Sequence, residues 1–268
     1  MAAPAGEQPP TGAPRPPVSR YLKLACTVCL LLGLHLWAWR GVEADLDLIV
    51  HSLPHMRDFL GRMLPPNWSV VQTAMGAVLE TLQIAVIGTT AAVILALPLG
   101  FLAAANMVGP LVRTVVRTLL NAVRSVPLIL YALFFVAAVG LGPLAGTLAI
   151  TVYSTGMLGK FFSEAVEAID PKPVEGVFST GANKLEALRY GVLPQVLPHF
   201  TAYILYRFEL NVREGAILGL VGAGGIGFYV TLYMRSFEYG RVATLALMIL
   251  AMIVAIDAGS SYLRGRFS

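Results

Sequence analysis

Apolar runs of membrane-crossing length recur along this chain. Each can form a helix rising about 1.5 Å per residue, enough to cross a hydrocarbon layer about 30 Å thick. The runs cover residues 21–39, 76–104, 119–141, 143–163, 199–222 and 242–262, which predicts an all-α membrane protein of about six spans. Composition agrees: 57% of residues are hydrophobic and 13% charged, with a mean hydropathy of +0.73, far from the balance of soluble domains.

A net charge of +4 raises the question of nucleic acid, which the placement of the basic residues answers. With the N-terminus inside, the inner segments hold Arg15, Arg20, Lys23, Arg113, Arg117, Arg124, Lys160, Lys172, Lys184, Arg189, Arg264 and Arg266. The outer ones hold Arg40, Arg57, Arg62, Arg235 and Arg241. This asymmetry follows the positive-inside rule, places both termini in the cytoplasm and leaves no surplus for a nucleic-acid surface.

Residues 1–19, rich in Pro, Ala and Gly, cannot bury enough surface to offset their ordering entropy and read as a disordered cytoplasmic tail. The first span, 20–40, ends on Trp37 and Trp39 at an interface and lacks a small-residue cleavage site, so it stays attached. Its Cys26 and Cys29 form a C-x-x-C without a second ligand pair and are read as ordinary apolar side chains. Residues 41–75 form a polar extracytoplasmic connection in which Pro54, Pro65 and Pro66 should break any long helix, with His51 and His55 as loop residues. A core domain follows over 76–262, then a short cytoplasmic tail, 263–268. No metal site or repeat is expected.

The segment 164–198 is the most informative, because a polar connection of that length between apolar helices is usually functional. It contains Glu175-Gly176-Val177, three residues, Gly181, nine residues, then Gly191-Val192-Leu193-Pro194. The spacing resembles the E-A-A, x3, G, x9, I-x-L-P signature of ABC importer permeases, whose short coupling helix docks on an ATP-binding subunit. Gly176 and Val177 stand where the signature has alanines, and Gly191 where it has isoleucine. Pro171 and Pro173 before the short helix, and Pro194 and Pro198 after it, should fix its ends. Gly176, Gly181 and Ala182 would let a partner's backbone approach closely, with Asn183 and Lys184 alongside.

The neighbouring words extend the likeness: Ile169-Asp170-Pro171-Lys172-Pro173-Val174, Thr180-Gly181-Ala182-Asn183-Lys184, Tyr206-Arg207-Phe208-Glu209 and Val221-Gly222-Ala223-Gly224-Gly225-Ile226-Gly227. These resemble the phosphonate transporter permease family from about Glu80 to the C-terminus. The resemblance implies a type I importer permease fold and a homodimer in a bacterial plasma membrane. It also implies two ATPase subunits, which bind ATP and Mg, and an extracytoplasmic binding protein. No Walker A sequence occurs in the chain, so this subunit is expected to hold no cofactor and do no catalysis.

Within the fifth span lie Arg207, Glu209, Asn211, Arg213 and Glu214, charges that are costly against lipid and must face protein or water. At 100° per residue Arg207, Asn211 and Glu214 share one face, and Glu209 with Arg213 form an i,i+4 pair on another. They are candidates for an anion path, with Arg207 foremost. Asp257, late in the last span, is expected near the cytoplasmic interface and solvated. Gly222, Gly224, Gly225 and Gly227 match G-x-G-x-x-G in spacing but close a helix instead of following a strand, so they read as a helix break near the outer mouth. Pro98 and Pro127 should kink the second and third spans. A carrier using the fifth-span charges as an ion relay is the competing reading, and the coupling-loop spacing speaks against it. A membrane enzyme finds no nucleophile, base and orienter to assemble.

Overall fold

The computed structural model describes residues 18–42 and 46–267, so most of the expected tail at 1–19 lies outside the described residues. The chain divides into two units, Met1–Phe59 and Leu60–Ser268. In the first, α1 (Val18–Gly41) is an apolar helix whose described side chains are all exposed, Trp37 and Trp39 included. Cys26 and Cys29 are exposed free thiols one turn apart.

The expected irregular connection is largely helical, since α2 spans Leu46–Arg62 and runs through Pro54. Proline removes the donor for the carbonyl four residues back, here Val50. That residue is exposed, so solvent can take the freed carbonyl and the helix survives. His51 Nδ1 lies 2.8 Å from the Asp47 carbonyl oxygen one turn earlier.

The second unit is built around α3 (Val71–Ala103) and α6 (Pro143–Glu167), which pack along their lengths. Small residues permit this contact. A Cβ on Gly88 would stand 2.7 Å from Ile150 Cγ2, and one on Gly100 would stand 2.6 Å from Phe162 Cβ. With no hydrophobic force between helices in lipid, such close packing is what associates them. Around this pair lie α4 (Pro110–Ser125), α5 (Leu128–Val139), α9 (Leu193–Leu218), α10 (Ile226–Arg235) and α11 (Tyr239–Phe267). Helix therefore continues through most of the expected tail at 263–268.

Four helical segments are long and apolar enough to cross a membrane: Lys23–Gly41, Trp68–Ala103, Lys184–Arg235 and Tyr239–Gly265. The pair α4–α5 makes a fifth, bent by 85°. The remaining expected span, the fourth at 143–163, corresponds to α6, which is 25 residues long. It is enclosed by its neighbours, burying Gly146, Ser154, Gly156, Gly159 and Ser163, so its composition answers to protein and not to acyl chains. Elsewhere the second unit turns large apolar side chains outward, among them Val86, Ile87, Ile94, Leu95, Leu247, Leu250 and Val254. That surface suits lipid.

Pro98 and Pro127 behave differently. α3 continues through Pro98 to Ala103, whereas the third span is not merely kinked at Pro127 but broken, with α4 ending at Ser125 and α5 starting at Leu128. The carbonyl that Pro127 leaves without its helical donor is that of Val123. It accepts instead from the Tyr131 hydroxyl at 3.0 Å, so the break is paired by a side chain one turn beyond it.

Candidate functional site

After α6 the chain enters the expected coupling segment. Asp170 caps α7 (Pro171–Ser179), accepting from the Lys172 N–H at 3.0 Å, with Pro171 at the first helical position. The helix closes on Gly181, whose N–H donates to the Phe178 carbonyl at 3.0 Å with φ +84°. Only glycine takes that conformation without strain. Asn183 then starts α8 (Lys184–Ala187) through a capping box, its Oδ1 accepting from the N–H groups of Leu185 and Glu186 while Glu186 Oε2 accepts from the Asn183 N–H.

The far boundary departs from expectation. Pro194 and Pro198 do not end the short helix; both lie in α9, which follows α8 through a π-helical turn, Leu188–Val192. The wider turn carries the Leu193 N–H to the Leu188 carbonyl, which relieves the crowding that a proline ring imposes on the preceding turn. Gly191, where the signature has isoleucine, packs against α7, for a Cβ there would stand 3.0 Å from Val174 Cα. Nothing lies within 4 Å of a Cβ on Gly176 or Gly181. These residues line an open groove of about 680 Å³ with Pro173, Val177, Thr180, Ala182, Glu186 and Tyr190.

In the bundle interior, Arg207 on α9 is the largest fully buried side chain, 1% exposed. Its Nε donates to Ser154 Oγ at 3.0 Å, its Nη2 to Glu214 Oε2 at 2.5 Å, and its guanidinium lies 4.9 Å from the centre of the Tyr153 ring. Ser154 Oγ donates to Asn211 Oδ1 at 2.9 Å, and Asn211 Nδ2 to Thr89 Oγ1 at 2.8 Å. One polar chain thus joins α3, α6 and α9. Arg207, Asn211 and Glu214 do share a face, but that face points into the helix bundle, and Arg207 reaches no open space.

The second charged face lies against α11. Arg213 Nη2 donates to Glu209 Oε1 at 3.0 Å and to Asp257 Oδ2 at 2.5 Å, while Arg264 Nη2 reaches Glu209 Oε2 at 3.3 Å. Asp257, expected to be solvated near the cytoplasmic interface, keeps its side chain 39% exposed but is bonded to Arg213, so it belongs to this cluster.

The glycine segment is a sharp reversal. α9 runs into a 3₁₀ turn, Gly219–Val221, and Gly222, Gly224 and Gly225 take φ of +85°, +84° and +73° before α10 begins. A Cβ on Gly224 would meet Pro143 Cα at 2.8 Å, and one on Gly146 would meet the Ala223 carbonyl oxygen at 2.5 Å. Two residues of α3 hold the start of α10: Glu80 Oε1 accepts from the Gly225 N–H and Thr81 Oγ1 from the Ile226 N–H, both at 2.9 Å. Glu80, Thr81, Thr89, Tyr153 and Ser154 were not among the expected site residues. Their signal in the sequence is faint, a few polar side chains on otherwise apolar helices.

A long apolar bundle, an exposed capped helix between two membrane helices and a glycine-bounded reversal define a transport permease subunit. The comparisons identify the family. Residues 96–268 match the family described as binding-protein-dependent transport system inner membrane component, and the chain belongs to it. It is 41% identical to the phosphite transport system permease protein PtxC of Stutzerimonas stutzeri over 242 residues, 90% of this chain and 88% of that one. It is 49% identical to the putative cryptic phosphonate transport system permease protein PhnE2 of Escherichia coli K12 over 120 residues, 45% of this chain and 98% of that one. A chain of the MetNI methionine ABC transporter, solved in inward-facing conformations, superposes with a TM-score of 0.67 at 20% identity, covering 75% of this chain and 99% of that one. That likeness shows the type I importer permease fold. These matches favour the importer subunit over the self-contained carrier.

Proposed function

We propose that the chain is the membrane-spanning subunit of an ATP-driven importer for a phosphorus oxyanion, in the class of phosphonate, phosphate and phosphite. The observation that carries the proposal is the 41% identity to a phosphite permease along 90% of the chain. The phosphonate permease relative supports the same substrate class.

In this reading two copies enclose a path that opens to each side in turn, with α6 completing the six spans of each copy and both termini in the cytoplasm. ATP and Mg are bound by two partner ATPase subunits. Each docks on α7 and the turn into α8 through Glu175, Gly176, Gly181, Ala182, Asn183 and Lys184, with Leu193 and Pro194 fixing the start of α9. An extracytoplasmic binding protein delivers the anion. The α9 charges form one wall of the path, Glu209, Arg213 and Glu214 nearer its surface and Arg207 with Asn211 behind them. The reversal at Gly222, Gly224, Gly225 and Gly227 closes its outer end. Proteoliposomes holding the permease, its ATPase and its binding protein should import radiolabelled phosphonate, phosphate or phosphite only with ATP; failure with all three would refute the substrate class.

Docking predicts an effect at Gly181. A side chain there meets the φ of +84°, a strain of roughly 1–2 kcal/mol, and projects into the groove. Gly181→Phe and Glu175→Lys should each abolish uptake while the permease inserts normally. Co-purification of the ATPase with the Gly181→Phe protein at the wild-type ratio, together with normal import, would exclude this docking surface.

Topology follows from the twelve-to-five distribution of basic residues. Reporter fusions after residues 10 and 266 should both report the cytoplasm, with residues 46–62 open to labelling from outside. An externally labelled C-terminus would require an odd number of spans.

A further inference from the structure

The two arginines of α9 differ sharply in exposure, and the difference reverses the order in which the sequence ranks them as path residues. Arg207 is 1% exposed, whereas the side chain of Arg213 is 40% exposed and that of Asp257, facing it from α11, is 39% exposed. Depth makes that exposure significant. Asn211, between Glu209 and Arg213 in sequence, bonds to Thr89, which lies about 27 Å from the outer end of α3 and about 21 Å from its inner end at 1.5 Å per residue. The cluster thus sits toward the middle of the bundle, where an exposed charge against acyl chains is costly. Its open side faces water or another protein surface.

The bonding of Arg213 is incomplete in a directional way. Its Nη2 serves both Glu209 and Asp257; among the described residues no bond reaches its Nε or Nη1, and neither is a buried atom. Arg207, by contrast, spends its Nε on the buried Ser154 and its Nη2 on the half-buried Glu214. The carboxylates differ too. Glu209 is held from two sides, by Arg213 and Arg264, whereas Asp257 has one bond, and its Oδ1 is buried without a hydrogen-bond partner.

We infer that Arg213 is the cation presented to the passing oxyanion, and that Asp257 is its resident counter-ion between passages, displaced when the anion binds. This rests on the oxyanion reading above. A planar guanidinium with free donors matches two oxygens of a tetrahedral anion. A carboxylate held by one bond is the partner most readily exchanged for another anion. The arrangement meets the requirement of a path, attraction sufficient to admit the ion without a trap that keeps it. With Asp257 paired, the quartet of Arg213, Arg264, Glu209 and Asp257 is neutral and tolerable inside the bundle; with the anion present, Arg213 exchanges one negative partner for another. Arg207 then acts as scaffold.

Two experiments test this, one of them on the wild-type protein. Phenylglyoxal labels accessible guanidinium groups, and peptide mapping by mass spectrometry reads each arginine separately. In the wild-type permease–ATPase complex Arg213 should be labelled and Arg207 should not, and millimolar phosphite should lower labelling at Arg213 severalfold. Labelling of Arg213 as slow as that of Arg207, or unaffected by phosphite in a complex that imports phosphite, overturns the inference. A complex that imports none of the three phosphorus oxyanions defeats the substrate reading instead, whatever the labelling.

The second experiment separates path from scaffold. Arg213→Gln should lower the maximal uptake rate about tenfold or more, the loss expected from one or two charge-assisted hydrogen bonds. The exchange Arg213→Asp with Asp257→Arg preserves the pair, and should restore the yield of assembled complex without restoring uptake. Wild-type uptake by the exchanged protein would show the pair to be structural only.

Discussion

Replacing Arg207 by Ala is expected to deplete the membrane of folded permease, not simply to slow transport. The sequence alone, which puts Arg207 foremost among the candidates for an anion path, predicts that the same change leaves assembly intact. The enclosure of its side chain reverses that expectation. Truncation removes the donors to Ser154 and Glu214 together, and leaves the Glu214 carboxylate, 28% exposed, without its cation. Breaking a fully buried pair costs about 3–5 kcal/mol; the partial exposure of Glu214 lowers that cost, and the gap beneath the Tyr153 ring adds to it.

Thermal unfolding of the detergent-purified protein measures the effect. Arg207→Lys should recover only part, since one ammonium cannot reproduce two divergent guanidinium bonds. Arg207→Ala combined with Glu214→Ala should be more stable than Arg207→Ala alone, because the stranded carboxylate goes too, a non-additivity expected of directly bonded partners. An Arg207→Ala protein that melts with the wild type would show that the network contributes nothing to holding α3, α6 and α9 together.

The contrast between the arginines shows which parts of the site could be read from the chain and which could not. The i,i+4 spacing of Glu209 and Arg213 needs only helix geometry, and the structure forms that pair at 3.0 Å. Asp257 stands 44 residues later, on a helix whose rotation no local rule supplies, so its membership of the cluster was invisible. The same holds for Thr89 and Ser154, which look like routine small polar residues in apolar helices until α9 brings Asn211 and Arg207 against them. Burial decides which arginine faces outward, and burial is a property of the packed bundle.

Prolines show the same limit locally. Pro54, Pro98 and Pro127 each remove one donor, yet only Pro127 ends a helix. What differs is who takes the released carbonyl. At Pro127 that is the Tyr131 hydroxyl, which stabilises a break; at Pro54 the carbonyl lies on an exposed helix. α6 is less apolar than the other long helices for a related reason: a central helix surrounded by others is built from small contact residues. The start of α7 was legible at Pro171, which acts on the backbone of its own turn; its end was placed at Pro194 and not at Gly181, because a proline continues a helix wherever the turn before it can widen.

Gly227→Ala is the other change expected to have a large effect, because the reversal between α9 and α10 leaves no room for a methyl group. A Cβ at Gly227 would overlap the Ala216 carbonyl oxygen, and one at Gly219 would overlap the backbone joining Gly227 to Phe228. The obstacle in each case is main chain, so no rotamer change can relieve it and the two helix ends must separate. Overpacking of this kind costs roughly 1–3 kcal/mol. Separation would also draw the Gly225 and Ile226 N–H groups away from Glu80 and Thr81, loosening α10 from α3. Gly227→Ala should therefore lower the melting temperature and abolish uptake, and Gly219→Ala should do the same. Gly76→Ala is the control: nothing lies within 4 Å of a Cβ there, and alanine within a helix is favoured over glycine by about 0.5–1 kcal/mol. Wild-type melting and uptake in the Gly227→Ala protein would mean that the reversal does not close as tightly as these contacts require.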